Sequence, residues 1–129
     1  MTLRTYIVED NATIRDNLIA TLEELTNVEV IGTSDSENEG TAWLQSNAGE
    51  WDLAILDLFL KQGSGLGVLI GCKDRKPQQK VVVLSNYATP DIRRRCTQLG
   101  VDAVFDKSNE IEDLVDFCSQ QSGTKAASS

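Results

Sequence analysis

The chain has 129 residues, with 12 Lys and Arg against 20 Asp and Glu and a formal net charge of −8. That is the size of one ordinary domain with a core of its own, and its acidity disfavours nonspecific binding to nucleic acid or to an anionic membrane. No histidine is present, which excludes a Ser-His-Asp or Cys-His catalytic system, a histidine-ligated metal and a phosphohistidine within the chain, so phosphoryl chemistry here has to use carboxylates.

Met1 to Thr5 leads into a strand without a signal-peptide pattern, and no apolar run has membrane-spanning length. The expected location is the cytoplasm, away from the membrane. Leu3 to Val8 reads as the first strand and ends on two adjacent carboxylates, Glu9 and Asp10. Asp10 or Asn11 then caps a helix with Ile14, Leu18, Leu22 and Leu25 on one face. Val28 to Gly32 is a second short strand. Ser36 with Glu39 three residues later makes a capping box for a helix reaching about Asn47.

The stretch Trp51 to Leu60 is nearly unbroken in its apolar character, which suits a strand buried on both faces of a parallel sheet. Asp57 interrupts it. An ionised carboxylate there is costly unless it is paired, metal-bound or exposed at the end of the strand, so Asp57 is placed at the carboxyl edge, facing a cleft. Gly63-Ser64-Gly65-Leu66-Gly67 fits neither nucleotide fingerprint and reads as a turn into a helix with Leu66, Leu69 and Ile70 inward.

Lys80 to Ser85 is a fourth strand ending on a hydroxyl. Thr89-Pro90 opens a helix whose buried stripe is Ile92, Cys96 and Leu99 and which Gly100 stops. Arg93-Arg94-Arg95 reads as the solvated face of that helix, with pairing to Glu112, Asp113 or Asp116 across a homodimer as a second reading. Val101 to Asp106 is the fifth strand, followed by Lys107, and Ser108 or Asn109 starts a last helix with Ile111, Leu114, Val115 and Cys118 on one side. Residues 1–121 make one domain, and residues 122–129, which lack large apolar side chains, are predicted to be a disordered tail. The three cysteines, Cys72, Cys96 and Cys118, suit small core residues better than a disulfide framework or a zinc site.

Five strands alternating with five helices imply an α/β sandwich on a parallel sheet, with its ligand site at the carboxyl ends of the strands. That rule brings Glu9, Asp10, Asp57, Ser85 and Lys107 to one edge. Taken singly, each has an ordinary explanation as a cap, a charge at a helix N-terminus or a surface lysine. Their joint occurrence at four strand ends changes the odds. Three carboxylates in one place repel one another, and an all-oxygen site of this kind suits Mg²⁺. With that cation and the Lys107 ammonium the local charge is balanced, and Asp57 is free to act as a nucleophile forming an acyl phosphate.

The acidic pair after strand one, Asp57 with Gly65 downstream, Ser85 after strand four and Lys107 after strand five resemble the receiver domain of two-component response regulators, over roughly residues 3 to 121. The resemblance implies a flavodoxin-like, doubly wound (βα)5 sandwich with strand order 2-1-3-4-5. It implies that Asp57 accepts a phosphoryl group from a histidine kinase or a histidine phosphotransfer protein. Asp10 and Asp57 would ligate Mg²⁺ with the backbone carbonyl of Phe59, Glu9 would act largely through water, and Lys107 and Ser85 would hold phosphate oxygens. It further implies kinase docking on the first helix around Ile14, Arg15 and Leu18, and signalling by a two-state surface of helix four, strand five and helix five. The chain departs from the family pattern at four places. Val104 stands where an aromatic switch is usual, with Phe105 one place later. Lys61 and Ser108 stand where prolines are usual, and Asn86 replaces a small residue. With no effector domain read in the chain, output is expected through an unidentified protein partner, without direct nucleic-acid binding.

Three other readings compete. A pseudo-receiver would bind proteins without being phosphorylated, and Val104 is its best support. An aspartate-nucleophile phosphatase needs a second Asp where Phe59 stands. A flavin-binding flavodoxin is disfavoured because Glu9 and Asp10 would repel the cofactor's phosphate.

Overall fold

In the computed structural model, which describes residues 2–122, strands and helices alternate five times. The order is β1 (Leu3–Val8), α1 (Ala12–Leu25), β2 (Val28–Ser34), α2 (Glu37–Ser46), β3 (Leu53–Asp57), α3 (Gly65–Gly71), β4 (Lys80–Ser85), α4 (Pro90–Gln98), β5 (Ala103–Asp106) and α5 (Ile111–Ser122). All strand pairs are parallel and the sheet order is β2-β1-β3-β4-β5, the flavodoxin-like arrangement expected above. The tail predicted over residues 122–129 lies outside the described residues, except that Ser122 closes α5. No helix among the described residues is long and apolar enough to cross a membrane.

Because strand side chains alternate between faces, each strand divides its apolar residues between two cores. Ile7, Leu53, Ile55, Val82, Leu84 and Phe105 pack with Leu18 and Leu22 of α1 and Leu114 and Cys118 of α5. Tyr6, Val8, Ala54, Leu56 and Val81 pack on the opposite face with Leu44, Val68 and Leu69 of α2 and α3. Val83 and Val104 meet Cys96 of α4 there. This parity settles the role of Phe105. One residue beyond Val104, it points to the other face and meets Phe117 of α5 edge-on, with ring centroids 5.9 Å apart. The side chain that β5 turns toward α4 is therefore Val104.

Local chemistry sets most helix boundaries where the sequence places them. Asn11 caps α1 by accepting from the Ile14 amide at 3.0 Å, so Asp10 is not the cap. The Ser36 hydroxyl caps α2 by accepting from the Glu39 amide at 3.3 Å. Thr89 and Pro90 open α4, and Gly100, at φ +92°, stops it. Cys72, Cys96 and Cys118 are free and buried.

The structure corrects several expectations. Only Leu18 and Leu22 of the α1 stripe are buried, because the two ends of the helix overhang the sheet and expose Ile14 and Leu25. In α3, Val68 is buried and Ile70 is exposed. The last helix starts at Ile111, later than expected. The Asp106 carboxylate takes the amides of Ser108 and Asn109 at 2.7 and 3.1 Å and holds residues 107–110 in a turn. Arg93, read as solvated, is half-buried and bonded inside the chain, whereas Arg94 and Arg95 are exposed.

Candidate functional site

The sheet itself assembles the site. Val8 of β1 is in register with Leu56 of β3, so the next residues, Glu9 and Asp57, emerge side by side at the carboxyl edge. Ser85 pairs with Asp106 at the last rung of β4 and β5, and the Lys107 amide then donates to the Ser85 carbonyl at 2.9 Å, which carries Lys107 over the same edge. One carboxylate oxygen from each of Glu9, Asp10 and Asp57 lies within 4.8 Å of the others. Lys107 Nζ is 2.6 Å from Glu9 Oε1 and 3.2 Å from Asp57 Oδ2. Residues 98 positions apart in sequence thus form one buried charge cluster.

Three acids against one ammonium leave this cluster with excess negative charge. Burial pushes the Asp57 carboxyl up to about 7; the Lys107 charge opposes that rise and the Glu9 charge adds to it. For Lys107, burial favours the neutral form, but the hydrogen bond it donates to Glu9 and the charges of Asp57 and Glu9 outweigh it and raise its pKa. The donor set is all oxygen and anionic, the chemistry of a small hard divalent cation. By that test Glu9, Asp10 and Asp57 fit an Mg²⁺ ion, which would supply the charge the cluster lacks.

Asp10 has a partner that side-chain reasoning missed. Its Oδ2 accepts from the backbone amide of Lys61 at 2.6 Å. Proline, the usual residue at that position in the resemblance, has no amide hydrogen and could not make this bond. The departure at Lys61 was visible in the sequence; what it signalled was a backbone donor. The amide fixes one oxygen of Asp10 and leaves the other for a metal.

Ser85 lies at the same edge, but its hydroxyl accepts from the Tyr87 amide at 3.0 Å, and the groups acting on Asp57 are Lys107 and Glu9. Phe59, two residues past Asp57, pairs with Ser64 in an isolated antiparallel bridge, and its exposed ring meets the exposed Tyr87 ring edge-on at 5.3 Å.

The glycine-rich turn is a packing device. A Cβ on Gly65 would stand 2.2 Å from the Asp57 carbonyl oxygen. The absence of a side chain lets the start of α3 press against the end of β3, where the Gly65 amide donates to the Leu58 carbonyl at 3.0 Å. Glu37 at the start of α2 holds the same turn from outside by accepting from the Ser64 amide at 2.9 Å.

A second cluster, also missed, lies on the α4–β5–α5 face. Arg93 donates from Nε to the Ala88 carbonyl at 2.9 Å, from one terminal nitrogen to the Val104 carbonyl at 3.1 Å, and from the other to the Glu110 carboxylate. The Arg93 hydrogen bond, then the Asp106 amide, hold the Glu110 carboxyl below the usual carboxylate range. These contacts span 5, 11 and 17 sequence positions, and no local pattern announces them.

Comparison with known proteins agrees with this architecture. The curated relative "Response regulator protein VraR" of Staphylococcus aureus is 26% identical over 116 residues, covering 90% of this chain and 54% of that protein. The chain therefore spans about half the length of the curated relatives it matches. Among solved structures, a response regulator receiver domain protein from Clostridium thermocellum superposes with a TM-score of 0.80 at 24% identity, covering 92% of this chain and 93% of that one. The response regulator domain of Thermotoga maritima CheB gives 0.81 at 16% identity, covering 94% and 96%; both likenesses speak to the fold alone. The family model of the response regulator receiver domain matches residues 5–118. By fold, by the order of its edge residues and by that match, the chain belongs to the receiver domains of response regulators.

Proposed function

We propose that Asp57 is the phosphoacceptor of an Mg²⁺-dependent signalling switch whose donor is a phosphohistidine on a sensor kinase or phosphotransfer protein. One observation carries this reading: the buried Asp57 carboxylate has Lys107 Nζ at 3.2 Å and lies within a tight group of carboxylate oxygens with Glu9 and Asp10. An Asp57 oxygen attacks phosphorus, the phosphorus–nitrogen bond of the donor breaks, and the departing imidazole keeps the electron pair and takes up a proton. The products are an acyl phosphate on Asp57 and a neutral histidine on the donor.

Phosphoryl transfer depends chiefly on positioning and on charge stabilisation of the equatorial oxygens. Lys107 is already within reach of one such oxygen. Ser85 reaches another by turning its hydroxyl away from the Tyr87 amide. Asp10 and Asp57, with the Phe59 backbone carbonyl and Glu9 through water, would hold Mg²⁺, which together with the Lys107 ammonium would offset the charge of the three acids and lower the repulsion met by an incoming phosphoryl group. A groove of about 280 Å³ between α1 and α5, lined by Ile14, Leu18, Ile111 and Lys107, opens beside the acceptor and suits the donor protein's approach. The net charge of −8 disfavours direct contact of this domain with nucleic acid or an anionic membrane.

Intact mass after incubation with acetyl phosphate and Mg²⁺ tests this reading. A single phosphoryl adduct that needs Mg²⁺ and is lost in Asp57→Asn is the expected result. Val104, turned toward α4 in place of an aromatic, favours a phosphorylation-independent pseudo-receiver as the second reading. No adduct on the wild type would put that reading first.

A further inference from the structure

The Arg93 guanidinium ties together three stretches of chain that meet nowhere else through one side chain among the described residues. They are the turn after β4 through the Ala88 carbonyl, β5 through the Val104 carbonyl, and the turn after β5 through Glu110. Glu110 extends the tie, since it also accepts from the Asp106 amide at 2.9 Å. Ala88 is three residues past Ser85, and Asp106 directly precedes Lys107. Ser85 at the end of β4 and Lys107 after β5 are already tied by strand pairing and one backbone hydrogen bond, and the planar, five-donor fork of Arg93 braces the turns that follow each of them. Its neighbours do nothing comparable: Arg94 pairs with Asp91 within its own helix turn, and both are exposed.

We propose that Arg93 is a positioning residue that couples the α4–β5–α5 face to the orientation of the Ser85 hydroxyl; this rests on the phosphoacceptor reading of Asp57. In the braced arrangement the Ser85 hydroxyl accepts from the Tyr87 amide, inside the turn whose far end is the Ala88 carbonyl held by Arg93. Turning that hydroxyl onto a phosphoryl oxygen breaks the bond to Tyr87 and reshapes residues 86–88, which moves the Ala88 carbonyl relative to α4. The brace and the turned-away Ser85 thus stabilise each other. Coupling is reciprocal, so a change at one end appears as an affinity change at the other. Loosening the brace favours the phosphoryl-binding arrangement, and a partner that engages Arg93 or Glu110 does the same.

The test is the affinity of the full chain for beryllofluoride, a phosphoryl analogue, in Mg²⁺, measured by calorimetry for wild type, Arg93→Ala, Glu110→Gln and the double variant. Glu110→Gln keeps an acceptor for the Asp106 amide and so stands in should Arg93→Ala fold poorly. Arg93→Ala is expected to bind about fivefold more tightly, Glu110→Gln to move less in the same direction, and the double variant to add little to Arg93→Ala. A merely structural arginine would give unchanged or weaker binding on removal, and that result in both single variants would overturn the coupling. If the wild type itself takes no beryllofluoride, the acceptor reading fails first and the coupling falls with it.

Discussion

Lys107 and Arg93 each bind a glutamate from another part of the chain, and the two pairs differ in burial and in balance. The side chains of Lys107, Glu9 and Asp57 are 10%, 3% and 8% exposed, whereas those of Arg93 and Glu110 are 38% and 29% exposed. In the first cluster the charges do not balance and water cannot screen them, so burial acts on the ionisation of Asp57 itself. In the second, one cation meets one carboxylate and two backbone carbonyls, and solvent takes up much of the field. The same kind of pair therefore sits in a buried, unbalanced charge cluster in one place and in a half-exposed backbone tie in the other.

Removing Lys107 should break this contrast most strongly. Lys107→Met leaves two buried acids without their cation, and a loss of about 3 kcal/mol of stability is expected from chemical denaturation at pH 8. The loss should shrink at pH 5, where Asp57 can take up a proton. The wild type carries the same logic more gently. Its Asp57 carboxyl is raised from an ordinary value of 3.8 to about 7, so the protonated form contributes stability that is fully present below the ordinary value and is lost as pH rises through about 7. Without divalent cation the melting temperature should fall over that range. With Mg²⁺ the fall should flatten, and a flat profile in both conditions would remove the frustration assigned to the cluster.

Lys61→Pro sharpens the comparison from the metal side. It deletes the amide that orients Asp10, and Mg²⁺ affinity measured by calorimetry is expected to drop about tenfold, while Lys61→Ala, which retains the amide, keeps the wild-type value. The smallest effects belong to the exposed face. Arg93→Met should cost within about 1 kcal/mol of stability and Arg94→Ala less than about 0.5 kcal/mol in denaturant unfolding. If Arg94→Ala costs as much as Arg93→Met, position in the α4–β5–α5 tie does not distinguish the two arginines.

What the sequence could show follows from how each feature is encoded. Asp57, Glu9, Ser85 and Lys107 were legible because each ends an apolar run, and parallel packing brings the carboxyl ends of runs together whatever lies between them. The face taken by Phe105 was also within reach, since parity along β5 separates it from Val104. The contacts that were not legible have no side-chain pattern. The Lys61 amide is a backbone group, the Ser85 hydroxyl takes its direction from a turn, and Arg93 reaches carbonyls that any residue would offer. The exposure of Ile14 and Leu25 shows a related limit. Helical periodicity gives the side of a helix, whereas burial also depends on where the sheet beneath it ends.

Borohydride reduction of protein treated with acetyl phosphate and Mg²⁺, followed by peptide mapping, would show which carboxylate carries the phosphoryl group, because an acyl phosphate on aspartate is reduced to homoserine. Conversion at residue 57 alone, absent without Mg²⁺, is the predicted result. Conversion at Asp10, Asp52 or another carboxylate, or none anywhere, would contradict the assignment of Asp57 as the acceptor.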